Sequence, residues 1–197
     1  MESTDKRSRI QQAAVQLFQE NGVEATSVNE IVKRANVAKG TFYVYYKDKK
    51  ELISQILTKQ HGLMLNELLN RSFEKSVKHK TCWKTAFIDE TIHCYMEKPA
   101  LLRTIQKNIT SIIDTEEHRM AIFKQVERLE EFLSLMKKDE EDIRKAMNRF
   151  MLMMEIIGIV CYNAIYFKHP DSMTEVLPEL KRTVRNMIES EECLYDI

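Results

Sequence analysis

The sequence predicts an all-α protein, and three observations carry that prediction. Glycine and proline are scarce, four and three in 197 residues, where average usage is roughly 7% and 5%, and most of them sit where a helical pattern ends. Apolar residues recur at spacings of three and four along the chain, the period of a helix with one buried face. No stretch alternates apolar and polar residues as a half-buried strand does. The length allows one sizeable core, or one small and one medium domain, since domains run to about 100–200 residues.

The elements follow in order. From Lys6 to Gly22 the residues Ile10, Ala13, Ala14, Leu17 and Phe18 make one apolar stripe, and Gly22 stops the helix. Ser27-Val-Asn-Glu30 forms a capping box that opens a short second helix, with Ile31, Val32 and Ala35 behind it. Asn36, a residue type that tolerates the left-handed conformation, breaks the pattern, and a third short helix begins around Lys39 and Gly40. Two short helices joined by a tight turn make a helix-turn-helix candidate. Asp48 and Glu51 form another capping box, opening a long helix to about Glu74. A helix is expected from Thr81 to Glu97, stopped by Pro99, and a short one from Pro99 to about Ile109. Asp114 and Glu117 read as a capping box for one helix carrying Ile122, Val126, Leu129, Leu133 and Met136. Residues 139–168 give the longest expected helix, ended by His169 and Pro170, and a last one runs from about Ser172 to Glu191.

Charge and cysteine content bound the function. The formal net charge is zero, yet residues 1–50 hold nine Lys/Arg against six Asp/Glu, so the basic end is the N-terminal one. Cys82, Cys94, Cys161 and Cys193 show no C-x-x-C spacing and no signal-like apolar segment follows the start, so reduced thiols and a cytoplasmic location are expected. Met147 to Phe167 is the one stretch that tempts a membrane assignment; it contains Asn148, Arg149, Glu155 and Asn163, so it reads as a buried helix rather than a span.

The run from Ser27 to Leu52, and above all Gly40-Thr-Phe-Tyr-x-Tyr-Tyr-x-x-Lys49, resembles the DNA-binding signature of the TetR family of transcriptional regulators. With the preceding helix the likeness covers residues 6–52, about a quarter of the chain; Asn36 stands at a turn position where that family often has Gly. It implies an N-terminal helix-turn-helix domain, 1–52, joined by the long helix to a larger helical effector-binding and dimerisation domain, 53–197. A recognition helix reads bases in the major groove while nearby hydroxyls, amides and cations hold phosphates. Lys39 suits guanine O6 and N7, Tyr43 a base edge or thymine methyl, and Asn29 an adjacent base or phosphate. Ser27, Thr41, Tyr45 and Lys49 match the family's phosphate-contacting positions, and Gly40 would let the backbone approach DNA closely. Phe42 is assigned to the small core with Leu17, Phe18, Ile31 and Val37.

The resemblance further implies a homodimer on a palindromic double-stranded DNA operator, with an unknown small-molecule effector relieving repression. The sequence adds that the helix over 139–168 is apolar on two sides and so needs two burial partners. Its second stripe, Met153, Ile156, Val160 and Phe167, together with Leu180, Val184 and Met187 of the last helix, is the expected dimer interface. Trp83, Phe87, Met96, Met120, Phe123, Met147, Met151 and Met154 are candidate lining for an apolar or aromatic effector, with ordinary core as the alternative. Gly62 inside the long helix is either a bend or a close-packing site. No metal, cofactor or catalytic motif is expected: the five histidines are scattered, and there is no P-loop, G-x-S-x-G or G-x-G-x-x-G. The alternative function is an architectural or division-control DNA-binding protein whose helical body binds a protein partner.

Overall fold

In the computed structural model, which describes residues 2–112, 116–138 and 142–188, the described residues form ten helices and no strand: α1 (Glu2–Asn21), α2 (Val28–Arg34), α3 (Lys39–Tyr45), α4 (Lys49–His79), α5 (Trp83–Glu97), α6 (Pro99–Ile112), α7 (Glu116–Phe123), α8 (Leu129–Leu135), α9 (Ile143–Phe167) and α10 (Met173–Ile188). The chain divides into two compact units, Met1–Gln60 and His61–Ile197. The first unit reaches beyond the boundary expected at residue 52 because Leu52 and Ile56, in the first turns of α4, are part of its core.

In the first unit, local chemistry sets the helix ends. Gly22 adopts φ +84°, a conformation open to glycine without a Cβ penalty, and its N–H bonds the Phe18 carbonyl at 3.0 Å. The α2 capping box is complete: Glu30 N–H donates to Ser27 Oγ at 3.3 Å and Ser27 N–H donates to the Glu30 carboxylate at 2.7 Å. Asn36 takes φ +51° in the turn between α2 and α3. At the start of α4, Glu51 N–H donates to Asp48 Oδ1 at 2.8 Å. Ile10, Ala14, Leu17, Ile31, Phe42, Tyr46 and Leu52 close the core, all buried, with Phe18 and Val37 packed at its edge.

The second unit is built around α5, α8 and α9. Phe132 centres an aromatic cluster, its ring centroid 5.0 Å from Trp83, 4.8 Å from Phe87 and 6.0 Å from Phe150. Trp83 Nε1–H is satisfied by Ser72 Oγ at 2.9 Å. Charged side chains lace the flanking helices to α5: buried Glu90 pairs with Lys75 and with Arg71, and Asp89 pairs with Lys181 at 2.8 Å and Arg185 at 3.3 Å.

Several expectations change. The helix expected to carry Ile122 through Met136 is broken into α7 and α8 by a turn at residues 124–128. No glycine or proline lies there; α4 imposes the break. The absent side chain of Gly62 admits Gln125, whose Cβ would sit 3.1 Å from an added Cβ. Asn66 Oδ1 accepts the Glu127 N–H at 3.1 Å, and the Arg128 guanidinium lies 3.3 Å from the Phe73 ring centroid. Gly62 is therefore a packing notch for the turn. The longest described helix is α4, at 31 residues against 25 for α9. The capping box expected at Asp114 and Glu117 involves residues outside the described ones, as does the expected end of the last helix at Glu191.

By length and apolar content α9 would suffice to cross a bilayer, but its inner face, including Ala146, Phe150, Met153, Ile157 and Cys161, is buried in the core. Cys94 and Cys161 are buried free thiols; burial pushes the Cys161 thiol up to about 12 and raises that of Cys94.

Candidate nucleic-acid interface and effector cleft

Helix α3 has two chemically different sides. Phe42 is 0% exposed and Tyr46, just past the helix, 1%, and these two rings, 5.5 Å apart, anchor α3 to the small core. The opposite side presents Lys39, Gly40, Tyr43 and Val44, followed by Lys47, all exposed. The spacing of Lys39, Gly40, Tyr43 and Val44 spreads them over one broad side of the helix, and Lys47 lies beyond its end. Thr41 and Tyr45 sit half-buried on the flanks, and Ser27 and Asn29 are exposed at the start of α2. Around Gly40 an added Cβ would meet no atom within 4 Å, so nothing inside the protein requires a glycine there.

Two cations hold this framework together. Lys49 donates through Nζ to the carbonyls of Val23 at 3.0 Å and Thr26 at 2.9 Å. The expected phosphate ligand thus braces the connection between α1 and α2. Arg9 of α1 donates to the carbonyls of Ala35 and Asn36, the latter at 2.6 Å, so it clamps the helix-turn-helix corner from below. Arg9 had no local sequence signal, because its partners lie 26 and 27 residues away. The Ser27 backbone N–H and hydroxyl both hydrogen-bond Glu30 and hold its carboxyl below its ordinary value, which keeps the α2 cap charged.

In the second unit, α7, α8 and the first half of α9 border a half-open cleft of about 1080 Å³. Its floor is apolar and rich in methionine. Of the candidate effector residues, Met120, Phe123, Met147 and Met151 line it. Trp83 and Phe87 do not: they are 4% and 0% exposed in the aromatic cluster. Met154 packs against the core without reaching the cleft, and Met96 is exposed on α5. Residues missed by the sequence reading include Lys124 and Arg144, which bring positive charge to the cleft, and Glu127, Glu130 and Glu155, which bring negative charge.

The expected dimer stripe divides in the same way. Met153, Leu180 and Val184 are buried within the protomer and leave no surface for a partner. Ile156, Val160 and Met187 are half-buried and Phe167 is 65% exposed. Leu152 and Ile159, exposed on α9, extend this apolar surface.

A short helix carrying a polar, exposed face, set by a tight left-handed turn against a second helix and backed by a third, defines the class: a helix-turn-helix DNA-binding domain. Residues 10–56 match the model for the tetR family of bacterial regulatory proteins, which gives this segment a domain of that type. The fatty acid metabolism regulator protein of Bacillus subtilis is 29% identical over 143 residues, an alignment covering 73% of this chain and 63% of the relative, so under two thirds of the relative's length is spanned. The whole chain shares its fold with a TetR-family transcriptional regulator from Haemophilus influenzae, at 21% identity and TM-score 0.56 over 96% of this chain and 100% of that one. It also resembles the Thermus thermophilus repressor FadR in complex with lauroyl-CoA, at 19% identity and TM-score 0.58 over 95% and 97% of the two chains.

Proposed function

We propose that this protein is a homodimeric transcriptional repressor that binds a palindromic operator through α3 and is released by a small apolar effector. The observation that carries the reading is the face of α3, where Lys39, Gly40 and Tyr43 are exposed directly above the buried Phe42. Lys39 and Tyr43 read base edges. Ser27, Asn29, Thr41 and Tyr45 hold phosphates on either side, Gly40 admits the DNA backbone, and Lys49 keeps the α1–α2 connection in place for these contacts.

The dimer forms through α9 and α10, using Ile156, Val160, Phe167 and Met187 and the neighbouring Ile159. An isologous pair presents two heads to successive major grooves about 34–36 Å apart. The effector enters the cleft beside Met120, Phe123, Met147 and Met151. A long-chain acyl group fits that lining: the chain lies on the methionine floor, among charged side chains of both signs, Lys124 and Arg144 with Glu127, Glu130 and Glu155. The regulator of fatty acid metabolism and the lauroyl-CoA complex among the similar proteins favour the same effector class. Such a regulator works in the bacterial cytoplasm on the nucleoid, and its role needs no catalysis.

The test is selection from a random duplex library with the full-length protein, followed by sedimentation of the complex and addition of lauroyl-CoA. Enrichment of an inverted repeat bound by two chains and released by micromolar lauroyl-CoA supports the reading. Failure to enrich any sequence refutes it, and enrichment without release refutes the effector assignment alone.

A further inference from the structure

Val44 is 77% exposed, more than any other large hydrophobic side chain among the described residues. It lies on α3 between Tyr43 and Tyr45, one helical turn after Gly40 and beside the exposed Tyr43. Nothing in the fold accounts for a valine there. At this exposure it adds little to the core, and a β-branched side chain is a poorer helix former than alanine, lysine or glutamate, any of which the open surface would accept.

The largest apolar group at the base edges of a major groove is the 5-methyl of thymine, where cytosine carries only a hydrogen; the oxygens, N7 atoms and amino groups there donate or accept hydrogen bonds. Valine can do neither. Placed against a cytosine amino group or a guanine carbonyl it would strip water from that group and return nothing. Placed against thymine it buries methyl on methyl. Tyr43, one residue earlier, carries a hydroxyl and so reads by a different chemistry.

We propose that Val44 is a specificity-determining residue that reads the methyl group of one thymine in each half of the operator. This rests on the reading of α3 as a recognition helix, and the experiment separates the two. The full-length protein first selects its preferred duplex from a random library. Each thymine pair related by the two-fold of that duplex is then replaced by deoxyuridine, which removes only the methyl, and affinities are measured for wild type and Val44→Ala.

At one thymine pair, deoxyuridine should weaken wild type about tenfold, the product of roughly three- to fourfold per half-site expected for one buried methyl at each. The same replacement should weaken Val44→Ala less than twofold, and Val44→Ala should lose a similar factor on the unmodified duplex. Because the side chain is exposed, Val44→Ala melts no lower than wild type, so lost affinity cannot be assigned to misfolding. Equal deoxyuridine penalties in both proteins at every position, or no penalty in wild type, overturn the assignment while leaving the recognition helix standing. A wild type that selects no sequence overturns the recognition helix and Val44 with it.

Discussion

Gly40→Ala should make the protein more stable and a worse DNA binder. Gly40 is the second residue of α3, its conformation is available to any residue, and an alanine Cβ would meet nothing within 4 Å. The substitution removes backbone freedom from the unfolded chain without strain in the folded one, which stabilises by about 0.4–1 kcal/mol. For a unit of this size that raises the melting temperature by roughly 2–6 °C. In the proposed complex the same methyl stands where the backbone comes closest to DNA, and overpacking a tight contact costs about 1–3 kcal/mol, so affinity should fall about tenfold or more per head. Thermal melting by circular dichroism and a binding titration on the selected duplex read the two effects separately. Lowered stability would mean that the glycine serves the fold, and unchanged affinity at higher stability would mean that α3 does not approach DNA at this point; either result refutes the reasoning.

Three further substitutions probe the framework. Lys49→Met removes two hydrogen bonds from a charged donor to the Val23 and Thr26 carbonyls. It should cost about 1–2 kcal/mol in chemical denaturation, discounted for partial exposure, while leaving the slope of log affinity against log salt nearly unchanged; a slope reduced by about 0.9 with unaltered stability would make Lys49 a phosphate ligand instead. Tyr46→Phe deletes a buried hydroxyl that has no hydrogen-bond partner among the described residues and should stabilise by about 1 kcal/mol, since such a group costs about that much or more when buried alone; a lower melting temperature would expose a hidden partner. Burial lowers His61 from 6.5 to about 4, so the unfolded chain binds its proton more tightly. That contribution to stability is complete above pH 6.5 and is lost as the pH falls towards 4. His61→Asn should therefore flatten the fall in melting temperature between pH 7 and pH 5, and parallel curves for the two proteins would exclude His61 as its source.

What was legible in the sequence was local. The Ser27 and Glu30 cap, the left-handed Asn36 and the inward Phe42 each depend on a few neighbouring residues, and together they locate α2, the turn and α3. What was not legible depends on distant partners. The break between α7 and α8 is written in Gly62, Asn66 and Phe73, more than fifty residues earlier in the chain, and no helix stop at residues 124–128 announces it. The hydrogen bonds of Lys49 to the α1–α2 connection were not legible because they are tertiary, spanning 26 and 23 residues. Helical spacing put Met153, Leu180 and Val184 on apolar stripes, but periodicity alone does not say whether a stripe faces its own core or a second chain. Trp83 and Phe87 carry the same ambiguity between cavity wall and packed ring. Val44 did leave a signal, an apolar residue next to Tyr43 and one turn after Gly40, which the hydrogen-bonding neighbours overshadowed.

The central claim, that α3 reads DNA sequence, is tested most directly by titrating full-length protein against the selected duplex and a scrambled duplex across a range of salt concentrations, with Tyr43→Ala alongside. At physiological salt, wild type should prefer the selected duplex by about a thousandfold or more, and Tyr43→Ala should lose most of that preference while keeping the salt slope and the melting temperature of wild type. Equal affinity of wild type for both duplexes, or an undiminished preference in Tyr43→Ala, would contradict the account.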